Sequence, residues 1–470
     1  MVFNSIVFLF IFLPIVILGH IALHKHTRAA NVWLLLSSFV FYGWCNLRIL
    51  LFLWIFGVFH YIIGCLLQKS EAHQSFKKGI MIFGVVADLV CLFSVKYINY
   101  AISLGNRLLG TDVSPVENLI FPLGISFLCF SMVAYFVDIY RKKTTAFTNV
   151  IDFFLFLSFF PKVSQGPITR HGLMYDAICS GRTVSVQTFA DGFRRFVIGL
   201  GKKVLIADVL GGSVDLIFDN LSGGVTVGTA WMGILCYTLQ IYYDFSGYTD
   251  MAIGIGNMLG FTLPENFRLP YLSKSVSEFW RRWHMTLGEW FKEYVYFPMG
   301  GSRKGLARTI LNLAVVWMFT GLWHGASTNY VLWGVYFGCF VILEKLVANT
   351  RVYKAIPTAF KWLGTLFVVM MGWVVFRSPD LLTAQVYFNN LISTTDTMIY
   401  GFGYYFDNAV YLAVAAGILF TLPRPACFSS DKSLVGAKAM ARDVCLVIIL
   451  LLSILFMMNS TYNSFIYFQF

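Results

Sequence analysis

The sequence predicts an all-α polytopic membrane protein, with about 10–12 spanning helices and further re-entrant helices around a central funnel. Three observations carry that prediction. The 470 residues are 58% hydrophobic and only 12% charged, with a mean hydropathy of +0.71. Soluble domains carry about 25% charged residues, and single water-soluble cores stop growing at about 250–300 residues. Apolar runs of spanning length recur along the whole chain, and the basic residues fall in short clusters between them.

The expected spans are 3–22, 30–46, 48–67, 79–100, 118–139, 196–218, 227–247, 309–325, 328–347, 358–376, 404–422 and 442–460. The first is read as a membrane helix and not as a cleaved leader. Its apolar run has no preceding basic residue and no small-residue cleavage site, and the basic residues follow it. Segments 23–30, 69–78 and 141–150 carry clustered Lys or Arg, whereas 46–48 is nearly neutral and 219–227 has no basic residue. The alternation places the amino terminus outside and the basic loops in the cytoplasm.

Two stretches fit no simple span. Residues 151–171 start apolar and then meet Pro161, Gly166 and Pro167, so a helix there is interrupted. Residues 248–305 are too polar to cross lipid and too aromatic for a solvated loop. Irregular backbone at membrane depth survives only where protein shields it or where it lines a wet cavity. Re-entrant helices and a cytoplasmic funnel are the expectation.

The net charge of +12 is dispersed over helix ends, including Lys77–Lys78, Arg194–Arg195, Lys202–Lys203 and Arg303–Arg308. This reads as membrane anchoring and not as the continuous basic face that nucleic acid requires. Nine scattered cysteines without a CxxC pair suggest neither a disulfide framework nor a metal site.

In residues 277–294, SEFWRRWHMTLGEWFKEY, helical spacing puts Trp280, Trp283, His284, Leu287, Trp290 and Phe291 on one face. Glu278 and Arg282 stand four apart on the other and are spaced to pair. Spacing alone favours a core histidine in an interfacial helix over a site for His284. His324 lies in the apolar stretch 317–333, WMFTGLWHGASTNYVLW. Ionisable groups at membrane depth are costly, so function is the default reading there. Gly321 and Gly325 flank it, either as a helix-packing motif or as small residues that admit a substrate. A buried neutral imidazole suits acyl transfer. It takes the proton of a hydroxyl as that hydroxyl attacks a thioester or ester, and a second histidine orients the acceptor or stabilises the oxyanion. No G-x-S-x-G elbow points to an acyl-serine, and Gly254–Gly256 follows no strand and is no nucleotide fingerprint. Asp244 and Asp250, in QIYYDFSGYTDMAIGIG, read first as helix caps and second as a polar lining of the cavity mouth.

These segments resemble the membrane-bound O-acyltransferase family, in the bacterial branch concerned with alginate O-acetylation. The resemblance is carried by QIYYDFSGYTDMAIGIG (240–256), LPENFRLPYLSKSVSEFWRRWHMTLGEWFKEYVYFPMGGSRKG (263–305), TGLWHGAS (320–327), FPLGISFLCFSMVAYFVDIYR (121–141) and FPKVSQGPITR (160–170). It runs from the start to about residue 340 and is weak beyond 377. It implies one integral membrane domain over 1–470, with core motifs in 120–340 and weaker carboxy-terminal helices in 358–460. It also implies a funnel joined to a pore, and matches His324 to the essential active-site histidine and His284 to the second one. Met285–Thr286 stands where relatives often carry Ile–Ser. Asp244, Ser246, Tyr248, Asn266, Trp280, Arg281, Trp283, Trp323 and Asn329 are candidates for the substrate and donor channel. Arg281, Arg282, Arg303 and Lys304 either form the donor-side mouth or anchor the chain.

The implied reaction moves an acyl group, expected to be acetyl, from a cytoplasmic donor to an acceptor on the outer side of a bacterial inner membrane. The donor is acetyl-CoA or an acylated carrier protein. No bound cofactor or metal is expected. The implied partners are membrane lipid, a cell-surface polysaccharide and a periplasmic or extracellular acyltransferase. Alternatives within the family are D-alanyl transfer toward teichoic acid and peptidoglycan O-acetylation. From other classes stand a transporter or channel without covalent chemistry, disfavoured by the lack of an apparent internal repeat and by the small number of charges within spans, and a scaffold that recruits an acyltransferase.

Overall fold

The computed structural model describes all residues except 45, 71–72, 118–120, 222–224, 394–399, 423–435 and 460–470. Residues 45, 118–120 and 460, in three of the expected spans, therefore lie outside the described residues. All described elements are helical. The chain forms two compact units: residues 1–196 with 249–264, and residues 197–248 with 265–466.

The first unit begins with a π-helical turn, Phe8–Phe12, that runs into α1 (Leu13–Leu23). Next come α2 (Thr27–Gly43), α3 (Leu47–Lys69), α4 (Gln74–Leu109) and α5 (Ile125–Tyr140). Helix α4 outruns its expected span of 79–100, ending where Gly110 takes a left-handed conformation, φ 67°. Only 17% of its most apolar window is buried within the protein. A helix so apolar and so uncovered needs lipid around it. Inside these helices His60 Nε2 lies 2.6 Å from Asp88 Oδ1, both buried, and the imidazole stacks on Phe136.

The interruption expected in 151–171 is present. Helix α6 (Val150–Ser158) stops, and α7 (Phe160–Val163) restarts with Pro161 in its first turn, where the missing N–H costs nothing. Irregular backbone then leads to α8 (His171–Cys179). Helix α9 (Val186–Gly201) follows. Within this unit its Gly192 meets Gly254 so closely that a Cβ on either would stand 2.6 Å from the other's carbonyl oxygen. The glycine-rich run 254–256 thus serves helix packing.

In the second unit a π-helical segment, Lys202–Ala207, leads into α10 (Asp208–Asp219). Helix α11 (Val227–Met258, 32 residues) overturns the expected end of a span at 247, since it runs on to Met258, inside the segment 248–305 read as irregular. Asp250 does not end it because Arg195 grips that carboxylate at 2.8–2.9 Å. Next, α12 (Val276–Arg282) and α13 (Met285–Phe291) are short, and a π-helical turn, Lys292–Tyr296, closes the region. The remaining helices are α14 (Gly305–His324), α15 (Thr328–Val347), α16 (Arg351–Ala355), α17 (Thr358–Arg377), α18 (Leu381–Asn390), α19 (Phe402–Tyr405), α20 (Asn408–Thr421) and α21 (Ala437–Asn459). Each expected span overlaps helix among its described residues, but 404–422 is broken between α19 and α20, and 118–139 is helical only from Ile125. Among the described residues, α3, α4, α14, α15, α17 and α21 are long and apolar enough to cross a bilayer, and Phe8–Leu23, α5 and α20 are shorter apolar helices.

Helices α14 and α15 form the hairpin that carries His324. A Cβ at Gly321 would lie 2.4 Å from the Tyr330 carbonyl oxygen, and one at Gly334 2.5 Å from that of Trp317. Gly321 therefore serves backbone approach between helices and leaves no room for substrate. Gly325 ends α14 at φ 159° with the Tyr330 ring 3.0 Å from its would-be Cβ. Gly321→Ala is expected to cost about 1–3 kcal/mol by prying the hairpin apart. Gly364→Ala on α17, where nothing lies within 4 Å, serves as the neutral control. Thermal unfolding of the detergent-solubilised variants checks this, and equal melting temperatures would refute it.

Candidate active site

The site is built on a helix broken at a histidine. Spacing predicted one continuous helix over 277–294, and the structure corrects this. Ser275 caps α12 by accepting from the Glu278 N–H at 3.0 Å, and the Glu344 carboxylate of α15 accepts from the Val276 and Ser277 N–H groups at 2.5 and 2.8 Å. The expected Glu278–Arg282 pair forms at 2.7 Å. Helix α12 then stops, and His284 adopts φ 45°, ψ 53°, a left-handed conformation that costs a non-glycine residue about 1–2 kcal/mol.

What holds the break is not local. The irregular segment 266–268 lies against it, with Arg268 N–H donating to Arg282 O and Met285 N–H to Asn266 O, both at 2.9 Å. The Asn266 side chain reaches His284 Nδ1 at 3.0 Å. Of the aromatic face foreseen from spacing, Trp283, His284, Leu287, Trp290 and Phe291 are buried despite the break, and Trp280 is half-buried. His284 is 4% exposed, and burial pushes its imidazolium down to about 3, so the ring is neutral at physiological pH.

His324 is the last residue of α14 and is also 4% exposed. Its ring meets Trp323 at 4.6 Å, Trp333 at 4.9 Å and Phe376 at 5.0 Å between centroids. The Trp323 ring also lies 6.1 Å from His284. One indole thus stands in contact range of both histidines. Phe245 closes on His284 edge-on at 4.8 Å. Trp280 packs on Trp333 and Phe337, and Trp283 on Trp373 and Phe267. Both imidazoles are buried among aromatic rings, where a polar interaction is stronger than in water.

The other candidates sort differently. The Asn329 amide nitrogen donates to Ser378 O at 2.7 Å and ties α15 to the end of α17. Arg281, Arg303 and Lys304 are exposed. Ser246 and Tyr248 are buried on α11. Asp244 is neither a cap nor part of a solvated mouth. It is buried in mid-helix, 2.7 Å from Lys203 Nζ, and that ammonium also lies 2.5 Å from Asp208. Lys203 itself is 0% exposed, which corrects its reading as an anchor at a helix end. Arg195, read likewise, is the partner of Asp250. Sequence reasoning missed Lys203, Glu344, Trp373 and Phe376. For Lys203 a signal existed, since a lysine and an aspartate five apart in an apolar run each need a partner.

The profile of the family described as MBOAT, membrane-bound O-acyltransferase, matches residues 141–383, just over half of the chain. The chain belongs to that family. Over 387 residues it is 40% identical to the "Probable alginate O-acetylase AlgI" of Pseudomonas aeruginosa, covering 82% of this chain and 73% of that protein. It is 32% identical to the peptidoglycan O-acetyltransferase of Helicobacter pylori, covering 82% and 78%. Against the teichoic acid D-alanyltransferase of Bacillus subtilis the identity is 28%, covering 54% and 67%. The molecule is thus a multi-pass membrane acyltransferase. Both candidate histidines lie inside the matched region, as does the whole α12–α15 segment that frames them.

Proposed function

We propose that this acyltransferase O-acetylates a cell-surface polysaccharide of a bacterium, with His324 as general base and His284 orienting the acceptor. The observation that carries the reading is the pair of buried histidines that both come within contact range of one indole ring. The acceptor hydroxyl gives its proton to His324 as its oxygen attacks the acyl carbonyl. A tetrahedral intermediate forms, the carbon–sulfur bond breaks, and the thiolate of the donor takes the proton back from the imidazolium. His284, neutral and buried, suits the orienting role better than oxyanion stabilisation, which favours a charged donor.

Acetyl is favoured over D-alanyl because the likeness to an alginate O-acetylase spans 82% of the chain and that to a teichoic acid D-alanyltransferase only 54%. The donor is acetyl-CoA or an acylated carrier on the cytoplasmic side, where exposed Arg281, Arg303 and Lys304 suit phosphate groups. The protein sits in the inner membrane with its amino terminus outside, and a periplasmic acyltransferase completes transfer to the polymer.

Reconstitution into vesicles with radiolabelled acetyl-CoA tests this, with a D-alanyl-loaded carrier protein as the competing donor and alginate oligomers as acceptor. Label is expected in base-labile esters on the oligomer, directly or once a partner acyltransferase is added. Labelling from the D-alanyl carrier alone, or from neither donor by a folded protein, would overturn the reading.

A further inference from the structure

His284 sits at a break between two helices, where nothing in its own helix fixes which ring nitrogen carries the proton. We infer that Asn266 makes that choice: it is a positioning residue that holds His284 as the Nδ1-protonated tautomer and leaves Nε2 as the basic nitrogen. This rests on the proposed role of His284 as the group that orients the acceptor.

The orientation of the Asn266 amide follows from its neighbours. The Thr286 N–H can only donate, and it points at one atom of the amide from 3.3 Å, so that atom is the oxygen. The Thr286 hydroxyl donates to the same oxygen at 3.0 Å. His284 Nδ1 lies 3.0 Å from that oxygen too. An amide oxygen has no hydrogen to offer, so Nδ1 must supply one. In a neutral ring the second nitrogen then bears the lone pair.

The placement is rigid. Asn266 is 1% exposed, and its own carbonyl receives the Met285 N–H, so backbone and side chain of one residue grip both flanks of His284. A ring held this way accepts a hydrogen bond from a hydroxyl through Nε2 and cannot donate one there to an oxyanion. It therefore separates the two roles that the sequence leaves open for the second histidine. A triad carboxylate orients its histidine by the same logic, but an amide does so without adding charge to a buried ring.

Solid-state ¹⁵N spectra of histidine-labelled protein in lipid test this, with the His284 signals assigned by their loss in His284→Ala. The wild type is expected to show a pyrrole-type Nδ1 and a pyridine-type Nε2. In Asn266→Ala the His284 signals should change to a mixture of tautomers, and kcat should fall about tenfold or more, as for other partners that orient a histidine. Asn266→Asp, which keeps an oxygen acceptor in the same place, should recover most of that loss. A pyridine-type Nδ1 in the wild type overturns the inference. So does an Asn266→Ala protein with unchanged spectrum and turnover, or an Asn266→Asp protein no better than Asn266→Ala. Full turnover by His284→Ala would instead remove the functional role of that histidine while the tautomer result still stood.

Discussion

Replacing His324 with alanine is expected to lower acyl transfer about 10²–10⁴-fold, the usual contribution of a positioned general base. A hydroxyl is a weak nucleophile near neutral pH, and the rings of Trp323, Trp333, Tyr330 and Phe376 pack around His324. None of these groups takes up a proton at that pH. Truncation also removes packing, so a loss of activity needs a control for folding. His324→Gln keeps much of the volume and the polarity but not the basicity, and it should be as inactive as His324→Ala while eluting and melting like the wild type. Imidazole added to His324→Ala, whose cavity is the right shape to receive it, should restore part of the turnover. Initial rates of ester formation in vesicles, at matched amounts of folded protein, give the comparison. Activity in His324→Gln within about tenfold of wild type would remove His324 from the role of base and leave a transporter or a recruiting scaffold as the better account.

How much of this was open to sequence reading depends on the range of the forces involved. The expected spans overlap helices because lipid imposes a local rule, a run of apolar residues, that needs no knowledge of neighbours. The interruption near Pro161 was equally local. The break at His284 was not legible. The stripe from Trp280 to Phe291 keeps helical spacing across it, and the hydrogen bonds that hold the left-handed turn come from Asn266 and Arg268, distant in sequence. The extent of α11 was misjudged for a related reason. Asp244 and Asp250 look too polar for a continuing membrane helix until Lys203 and Arg195 are seen to neutralise them. Gly321 shows the same limit from the other side. Its close neighbour is Gly334 on the next helix, and that pairing decides between room for a substrate and room for a backbone.

The Lys203 cluster yields the largest expected effect on stability. One ammonium lies between two carboxylates, Asp208 at 2.5 Å and Asp244 at 2.7 Å, and all three groups are buried. Lys203→Met removes the cation and leaves two acidic groups facing each other in a dry interior. Breaking a buried ion pair from one side costs about 3–5 kcal/mol, which is a large share of what usually holds a protein folded. The variant is therefore expected to show a steep fall in folded yield and in melting temperature. Asp244→Asn should behave very differently. It leaves a one-to-one pair between Lys203 and Asp208, and the amide oxygen still accepts from Nζ, so its loss should be far smaller. The asymmetry is the test, because a general sensitivity of this helix junction would harm both variants alike. Restoring charge balance by adding Asp208→Asn and Asp244→Asn to Lys203→Met should regain part of the stability, since apolar or neutral replacements of a whole buried ionic group are often tolerated. Monodispersity after heating, followed by fluorescence-detected size exclusion, ranks the variants. If Lys203→Met melts like the wild type, the cluster carries no such weight. If Asp244→Asn keeps full stability but loses acyl transfer, Asp244 belongs to the substrate path after all, and the ion cluster lies within the working parts of the acyltransferase.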